Sequence, residues 1–273
     1  MDKEMLERIR SLCLFDDIFM SAFFKDLSVT QTLIQALMQD KTLLVERFQT
    51  QYEIQPLSGS RAVKLDIIAY DSKGAVYNIE VQQANTGASP HRARYHASML
   101  DFDFLKANEK FDTLPNTYVI FITKEDYFDR GKSIYNIERV ITTLGESFND
   151  GTHIMYVNGQ YESDDELGNI LHDFRTANPR NMKTESFRKR ATFLKEKDEG
   201  VNEMSKLMEK FRIEALAEGE AKGRAEGIEV GKLESLKAVA KKMLSRKTYS
   251  NEEIADVSGL PLAVIQKLAE QMA

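Results

Sequence analysis

Two alternating strands around a tight turn, followed by a helix and a wholly apolar strand, are the feature that most restricts the fold of this chain. Residues 61–70 and 75–83 alternate apolar and polar side chains, and the turn between them ends at Gly74, where a positive φ is often needed. A helical pattern covers about residues 90–108, and Thr117–Thr123 is apolar enough for a strand buried on both faces. Such a strand requires cover above and below its sheet, so the order predicts an α/β fold.

Further elements are predicted on both sides of this unit. The first forty residues carry apolar side chains at helical spacing, and residues 43–54 then alternate like a strand. Residues 134–143 and 153–157 are further predicted strands, and residues 166–174 are a predicted short helix. The sum of these elements is a mixed β-sheet of about four or five strands flanked by helices.

The composition changes after residue 179, and this change divides the chain. We predict a folded domain over residues 1–178, a charged helical arm over residues 179–247 and a short helical hairpin over residues 248–273. The arm contains a glycine ladder, which consists of Gly219, Gly223, Gly227 and Gly231. Because each glycine costs a helix about 1 kcal/mol relative to alanine, the ladder favours either a weak helical linker or a close approach of two helices.

Composition excludes several classes of protein. The single cysteine, Cys13, rules out a disulfide framework and a zinc site built from several cysteines. No apolar run approaches the length of about 18 residues that a membrane span needs, and the N-terminus lacks a secretory pattern, so we expect a soluble, cytoplasmic protein. Residues 180–247 carry a net charge of +6 and residues 1–179 a net charge of −9, which fits either a polyanion partner or a solvated helix face.

An acidic pair is the strongest chemical signal in the sequence. Pairing the two strands about Lys73 places Asp66 opposite Glu80 and Lys64 opposite Gln82, with opposed Cβ atoms about 4.5–5.5 Å apart. Two carboxylates this close repel each other unless a proton, a basic neighbour or a divalent cation intervenes. Hard oxygen ligands suit Mg²⁺ or Mn²⁺, whereas pairing with Lys64 and nearby arginines is the purely structural alternative.

Strict alternation also predicts which side chains of the hairpin share a face. The apolar set that should pack together consists of Leu65, Ile67, Ala69, Tyr77, Ile79 and Val81. The opposite face then carries the acidic pair together with Lys64 and Gln82.

Several segments resemble the Rpn family, the recombination-promoting nucleases that are also described as PD-(D/E)XK nuclease family transposases. Asp66, fourteen residues before Glu80-Val81-Gln82, is similar to the D…(D/E)-x-K core, with glutamine in the lysine position. The wider likeness covers about residues 16–174. It is carried by Val63-Lys64-Leu65-Asp66-Ile67, Tyr77-Asn78-Ile79-Glu80-Val81-Gln82, Arg92-Ala93-Arg94-Tyr95-His96, Tyr118-Val119-Ile120-Phe121-Ile122-Thr123 and Tyr156-Val157-Asn158-Gly159.

The resemblance implies a restriction-endonuclease-like core with a helical C-terminal arm, and it implies roles for matched residues. Asp66 and Glu80 would hold Mg²⁺ or Mn²⁺, with the backbone carbonyl of Val81 as a further ligand. Gln82 stands where a lysine usually orients the water or the phosphate. Because glutamine is neutral, Lys64 is a candidate for the missing cation.

Further candidates lie before and after the hairpin. Such nucleases often place an acidic residue on the first core helix, for which the candidates are Asp16, Asp17 and Asp26. On the predicted helix after the hairpin, Arg92, Arg94 and Tyr95 are candidate DNA-binding residues, with a solvated helix face as the alternative.

The resemblance implies a divalent-metal-dependent DNA endonuclease linked to recombination or mobile elements. Two alternatives stay open: a degenerate nuclease that binds nucleic acid without cutting it, and a protein-interaction module that acts through the helical arm. We also expect a dimer through that arm, since two sites related by symmetry are the simplest way to cut both DNA strands.

Overall fold

The computed structural model describes residues 3–56 and 61–272. Its helices are α1 (Lys3–Ser11), α2 (Asp17–Phe23), α3 (Leu27–Met38), α4 (Pro90–Phe104), α5 (Glu166–Arg175), α6 (Glu185–Glu196), α7 (Asp198–Ser245), α8 (Asn251–Ser258) and α9 (Leu262–Met272). Its strands are β1 (Val45–Ile54), β2 (Val63–Asp71), β3 (Val76–Gln82), β4 (Thr117–Thr123), β5 (Ile134–Ile137), β6 (Val140–Ile141), β7 (Glu146–Ser147) and β8 (Thr152–Asn158).

A six-stranded mixed sheet organises the fold, in the order β1-β2-β3-β4-β8-β5. The β1–β2, β2–β3 and β5–β8 pairs are antiparallel, whereas β3, β4 and β8 are parallel neighbours. The prediction of one strand over residues 134–143 is wrong, because β5 ends at Ile137 and β6 pairs with β7 in a separate hairpin. Gly145, with a φ of 70°, permits the tight turn of that hairpin.

The β2–β3 hairpin has the register that the turn predicts. Ile67 pairs with Ile79 and Tyr70 pairs with Val76, and Gly74 adopts a φ of 84° in the turn. The backbone pairing ends at Ile67 and Ile79, so the two strands separate beyond this point.

Helices cover both faces of the sheet. The first face packs Ile67, Ile79 and Ile120 against an aromatic core from the helices, which includes Phe19 and Phe174. The second face packs against α4, with contacts that include the following residues: Ile68, Val119, Phe121, Ala93, Ala97 and Leu100. Burial on both faces explains why β4 is apolar throughout.

Leu65 does not lie on the predicted face. It packs with Val63 and Ile68 on the second face, whereas Ile67 packs on the first, so strict alternation is broken near Asp66. The neighbouring strand is also irregular at this level, because Gln51 adopts a φ of 57° between the Thr50–Ile67 and Tyr52–Leu65 pairs.

The first compact unit ends at Met208, so the change in composition at residue 179 does not coincide with its end. Phe187 and Leu194 of α6, and Met204 near the start of α7, are fully buried in the core of the first face. Residues that look like a solvated arm by composition therefore complete the core.

The second compact unit begins at Glu209. Its small core consists of Ala240, Ile254, Leu260, Ile265 and Leu268. Helix α8 begins with a capping box between Ser250 and Glu253 and ends at Gly259, which has a φ of 66°. Among the helices of the described residues, none combines the length and the apolar character that crossing a membrane requires.

Candidate active site

The separated ends of β2 and β3 hold two interlocked carboxylates. The Asp66 backbone N–H donates to Oε1 of Glu80 at 3.3 Å, and the Val81 backbone N–H donates to Oδ2 of Asp66 at 3.0 Å. Side-chain oxygens thus take over where backbone pairing stops. The arrangement brings Asp66 and Glu80 together, as hairpin symmetry predicts, and it places the backbone of Val81 directly beside them.

Burial makes negative charge on these two carboxylates unfavourable. Glu80 is fully buried, and Asp66 is only partly exposed. Burial and the neighbouring Glu80 charge raise the pKa of the Asp66 carboxyl well above its usual range, while the Val81 N–H and Arg92 act in the opposite direction. The nearby donors therefore do not fully offset the negative charge of the two carboxylates, and a bound cation would offset it.

Arg92 is the cation that touches this site. Its Nη2 donates to Oε2 of Glu80 at 3.0 Å, and its Nη1 donates to the Gly87 carbonyl at 2.9 Å and to Oε1 of Gln82 at 3.4 Å. The neutral Gln82 side chain is thus hydrogen-bonded to the guanidinium of Arg92. Gly87 is required for this contact, because a Cβ there would lie 2.0 Å from the Gln82 oxygen.

A buried histidine supports the arginine. His96 accepts a hydrogen bond at Nε2 from Nε of Arg92 at 3.2 Å, so its proton resides on Nδ1. Nδ1 lies 3.2 Å from the buried Asn78 amide and 3.5 Å from Oε1 of Glu80. Oδ1 of Asn78 is buried and has no hydrogen-bond partner among the described residues.

Of the three acidic candidates near the N-terminus, Asp17 acts on the pair. Its charge contributes to the raised pKa of Asp66, and its own carboxyl pKa is raised by burial and by the Asp16 charge. Asp16 instead accepts from the Cys13 backbone N–H and from Gln83, and Asp26 caps α3 through the Ser28 N–H.

A basic groove opens next to the carboxylates, between the start of β2 and α4. It has a volume of about 890 Å³, and its charged or aromatic lining consists of Arg61, Lys64, His91, Arg92, Arg94, Tyr95 and His96. No acidic side chain of the described residues lines it. The Tyr95 hydroxyl donates to the Arg61 carbonyl at 2.6 Å and thereby ties the two walls together.

Comparison with known proteins supports a nuclease-like origin of this geometry. A family model described as PD-(D/E)XK nuclease family transposase matches residues 15–218. The chain belongs to this family. The match and the mixed sheet confirm the predicted restriction-endonuclease-like fold. No curated protein and no solved structure matches the chain.

The donor set fits the divalent ion that nucleases of this family generally use. Asp66 and Glu80 offer hard carboxylate oxygens, and the raised pKa of Asp66 marks a site where positive charge is favourable. Over the described ranges, no three His, Cys, Asp or Glu side chains are grouped as a complete ion site. The Val81 carbonyl, next in sequence to Glu80, is a further oxygen donor beside the pair.

Sequence reasoning missed three contributors to the site. Asn78 and Gly87 carry no charge, and His96 was given no role of its own, whereas here it supports Arg92. The signal for His96 was its position four residues after Arg92, which places both side chains on one face of α4.

Proposed function

We propose that the chain is a divalent-metal-dependent DNA endonuclease that hydrolyses phosphodiester bonds, in keeping with its nuclease family. The observation that carries the proposal is the buried Asp66–Glu80 pair at the separated strand ends, next to a groove lined by cations and by no acid of the described residues. Recombination or mobile-element biology is the setting that the family description suggests.

In this proposal, Asp66 and Glu80 hold Mg²⁺ or Mn²⁺ with the Val81 carbonyl, and Asp17 adds negative charge nearby. A bound divalent ion would supply positive charge at the scissile phosphate and lower the pKa of the attacking water. Gln82 orients its neighbours by hydrogen bonding. Arg92 is the charged group closest to the position where the family motif has lysine.

The groove provides the substrate contacts. Lys64, Arg94 and Arg61 have no acid partner within ion-pair distance among the described residues, so their charge is available to backbone phosphates. Tyr95 positions the Arg61 segment through its hydroxyl. The excess of negative charge elsewhere on residues 1–179 makes this groove the surface best suited to a polyanion.

Cleavage by matched variants tests the assignment. Purified full-length protein, Asp66→Asn and Glu80→Gln are incubated with supercoiled plasmid and either Mg²⁺ or Mn²⁺. Each substitution keeps the side-chain shape but removes a negative charge, so we expect nicking to fall by at least about 100-fold.

Asp164→Asn serves as the control, because that carboxylate is fully exposed and lies outside the site. It should nick DNA like the parent. If Asp66→Asn and the parent nick plasmid equally, the site assignment is wrong, and the activity belongs to another part of the chain or to a contaminant.

A binding protein that does not cut is the second candidate. It is favoured by the neutral Gln82 and by the ion pair that engages Glu80 with Arg92 at 3.0 Å. In that case the parent protein shifts a DNA duplex in a gel but leaves plasmid intact with both metals. Cleavage that requires Asp66 would exclude it.

An assembly role of the arm is the third candidate, and it includes the proposed dimer. A Cβ added at Gly223 or Gly227 meets no other atom within 4 Å, so both positions tolerate larger side chains within one chain. We expect Gly223→Leu with Gly227→Leu to reduce the sedimenting mass from dimer to monomer. A parent protein that sediments near 31 kDa would oppose dimerisation.

A further inference from the structure

Arg92 forms an ion pair with Glu80, one of the two carboxylates that would bind the proposed metal. We propose that Arg92 is an internal counter-ion of Glu80, that a nucleic-acid phosphate in the groove draws its guanidinium away, and that metal and nucleic acid therefore bind cooperatively. This inference rests on the proposed function. The inferred coupling between DNA and metal makes metal binding at the Asp66–Glu80 pair weaker in the absence of DNA.

The contacts of Arg92 define the closed arrangement. Nη2 pairs with Glu80 at 3.0 Å, while Nε donates to His96 and Nη1 donates to the Gly87 carbonyl. Glu80 is fully buried, so its charge requires a partner in the interior. A guanidinium and a divalent ion compete for the same carboxylate because both supply that partner.

His96 and Asn78 keep the arginine in reach of both positions. The histidine ring is buried, and its Nδ1 lies 3.2 Å from the Asn78 amide nitrogen and 3.5 Å from Oε1 of Glu80, so these contacts fix the orientation of the ring. Its Nε2 thus presents a stationary acceptor to Nε of Arg92. Because the guanidinium is planar, it moves as a unit through torsions of the Arg92 stem, and Nε2 of His96 stays available as an acceptor.

The groove supplies the competing ligand. The Arg92 side chain is 38% exposed and lines the groove, unlike the Glu80 side chain that it contacts. Within the described residues, Glu80 is the one acceptor of Nη2, which leaves an N–H of that nitrogen for a phosphate oxygen. Phosphate binds arginine in a bidentate manner, so it can replace the carboxylate without loss of paired charge.

Thermodynamic linkage makes the effect reciprocal. If DNA releases Glu80 for the ion, the ion must strengthen DNA binding by the same factor. Such couplings typically amount to about 5- to 150-fold in affinity. Removal of the guanidinium should abolish the coupling, because the carboxylate is then open whether or not DNA is bound.

Mn²⁺ binding without turnover tests the coupling. The parent, Arg92→Met and Arg188→Met are titrated with Mn²⁺, and free ion is followed by electron paramagnetic resonance with and without a phosphorothioate-substituted DNA duplex. Asp66→Asn with the duplex measures Mn²⁺ that binds to the DNA alone. Arg188→Met is the matched control, because it removes the same charge from an exposed residue of α6 that does not line the groove.

We expect DNA to tighten Mn²⁺ binding to the parent by at least about tenfold. Arg92→Met should bind Mn²⁺ tightly without DNA and change less than about threefold when DNA is added. Arg188→Met should match the parent with and without DNA. Arg92→Lys, which retains a charge and a similar length, should behave between the parent and the methionine variant.

Two results would overturn the coupling, and they differ from failure of the proposed function. If DNA does not change the Mn²⁺ affinity of the parent, or if Arg92→Met binds Mn²⁺ no better than the parent without DNA, Arg92 does not compete with the ion. If Asp66→Asn binds Mn²⁺ as well as the parent with DNA present, the ion site itself is wrong and the proposed function fails.

Discussion

Replacement of Lys195 by methionine tests whether α6 is an integral part of the nuclease-like unit. Lys195 is 1% exposed, and its ammonium donates to the carbonyls of Arg10, Leu12 and Ala177. It therefore joins α6 to the end of α1, to the residue after it and to the segment after α5. Methionine retains the apolar stem but leaves all three carbonyls without this donor.

The size of the effect follows from two opposing terms. Three hydrogen bonds from a charged donor stabilise the folded chain by roughly 4.5–9 kcal/mol in total, at about 1.5–3 kcal/mol each. Burial lowers the pKa of Lys195 from 10.5 to about 8, and this difference corresponds to about 3 kcal/mol against the buried charge. The net loss on substitution is then roughly 1–6 kcal/mol, and we expect a value near ~3 kcal/mol.

Urea unfolding monitored by tyrosine fluorescence measures this loss. Nine of the ten tyrosines precede Glu209, so the signal reports on the first compact unit, and no tryptophan interferes. The free energy of unfolding of the parent and of Lys195→Met is obtained by linear extrapolation to zero urea. Lys189→Met is the control on the same helix, because that side chain is exposed and pairs only with Glu185 in the described structure.

The control should change the free energy of unfolding by no more than about 0.5 kcal/mol, as exposed ion pairs do. The reasoning is refuted if Lys195→Met unfolds at the same urea concentration as the parent, or if Lys189→Met destabilises the chain by as much. Either result would mean that the buried ammonium does not hold α6 to the rest of the unit.

Three further predictions concern pH and the site. Because the pKa of Lys195 is lower in the folded chain, the unfolded chain binds more protons between about pH 8 and 10.5. The free energy of unfolding of the parent should therefore rise across this window relative to that of Lys195→Met. A constant difference between the two in urea unfolding would contradict this prediction. Gln82→Lys should lower plasmid nicking about tenfold, because the new charge faces Arg92 beside the crowded Gly87. If the variant nicks plasmid faster than the parent, Arg92 does not replace the motif lysine. Lys64→Met should abolish nicking but retain Mn²⁺ binding. It should also reduce the slope of log affinity for DNA against log salt concentration by about 0.9. An unchanged slope with full nicking would remove Lys64 from the site.

Much of the fold was predictable because its signals are local. Alternation over β2 and β3, and the continuous apolar run of β4, depend on side-chain period and burial within single elements. The face of Leu65 was not predictable, because the alternation breaks near Asp66, where the backbone pairing of β2 and β3 ends. Likewise, composition after residue 179 resembles a solvated arm, and only packing shows that Phe187 belongs to the core.

The sequence by itself determined the adjacency of Asp66 and Glu80, because a tight turn and a period of two leave one register that buries the apolar residues. Only the tertiary structure decided that the charge of Asp17 helps to raise the pKa of Asp66 and that Arg92 engages Glu80. These partners come from α2 and α4, whose positions depend on packing against opposite faces of the sheet. Contacts between elements distant in the chain carry no periodic signature, so their identity emerges only when the elements are assembled.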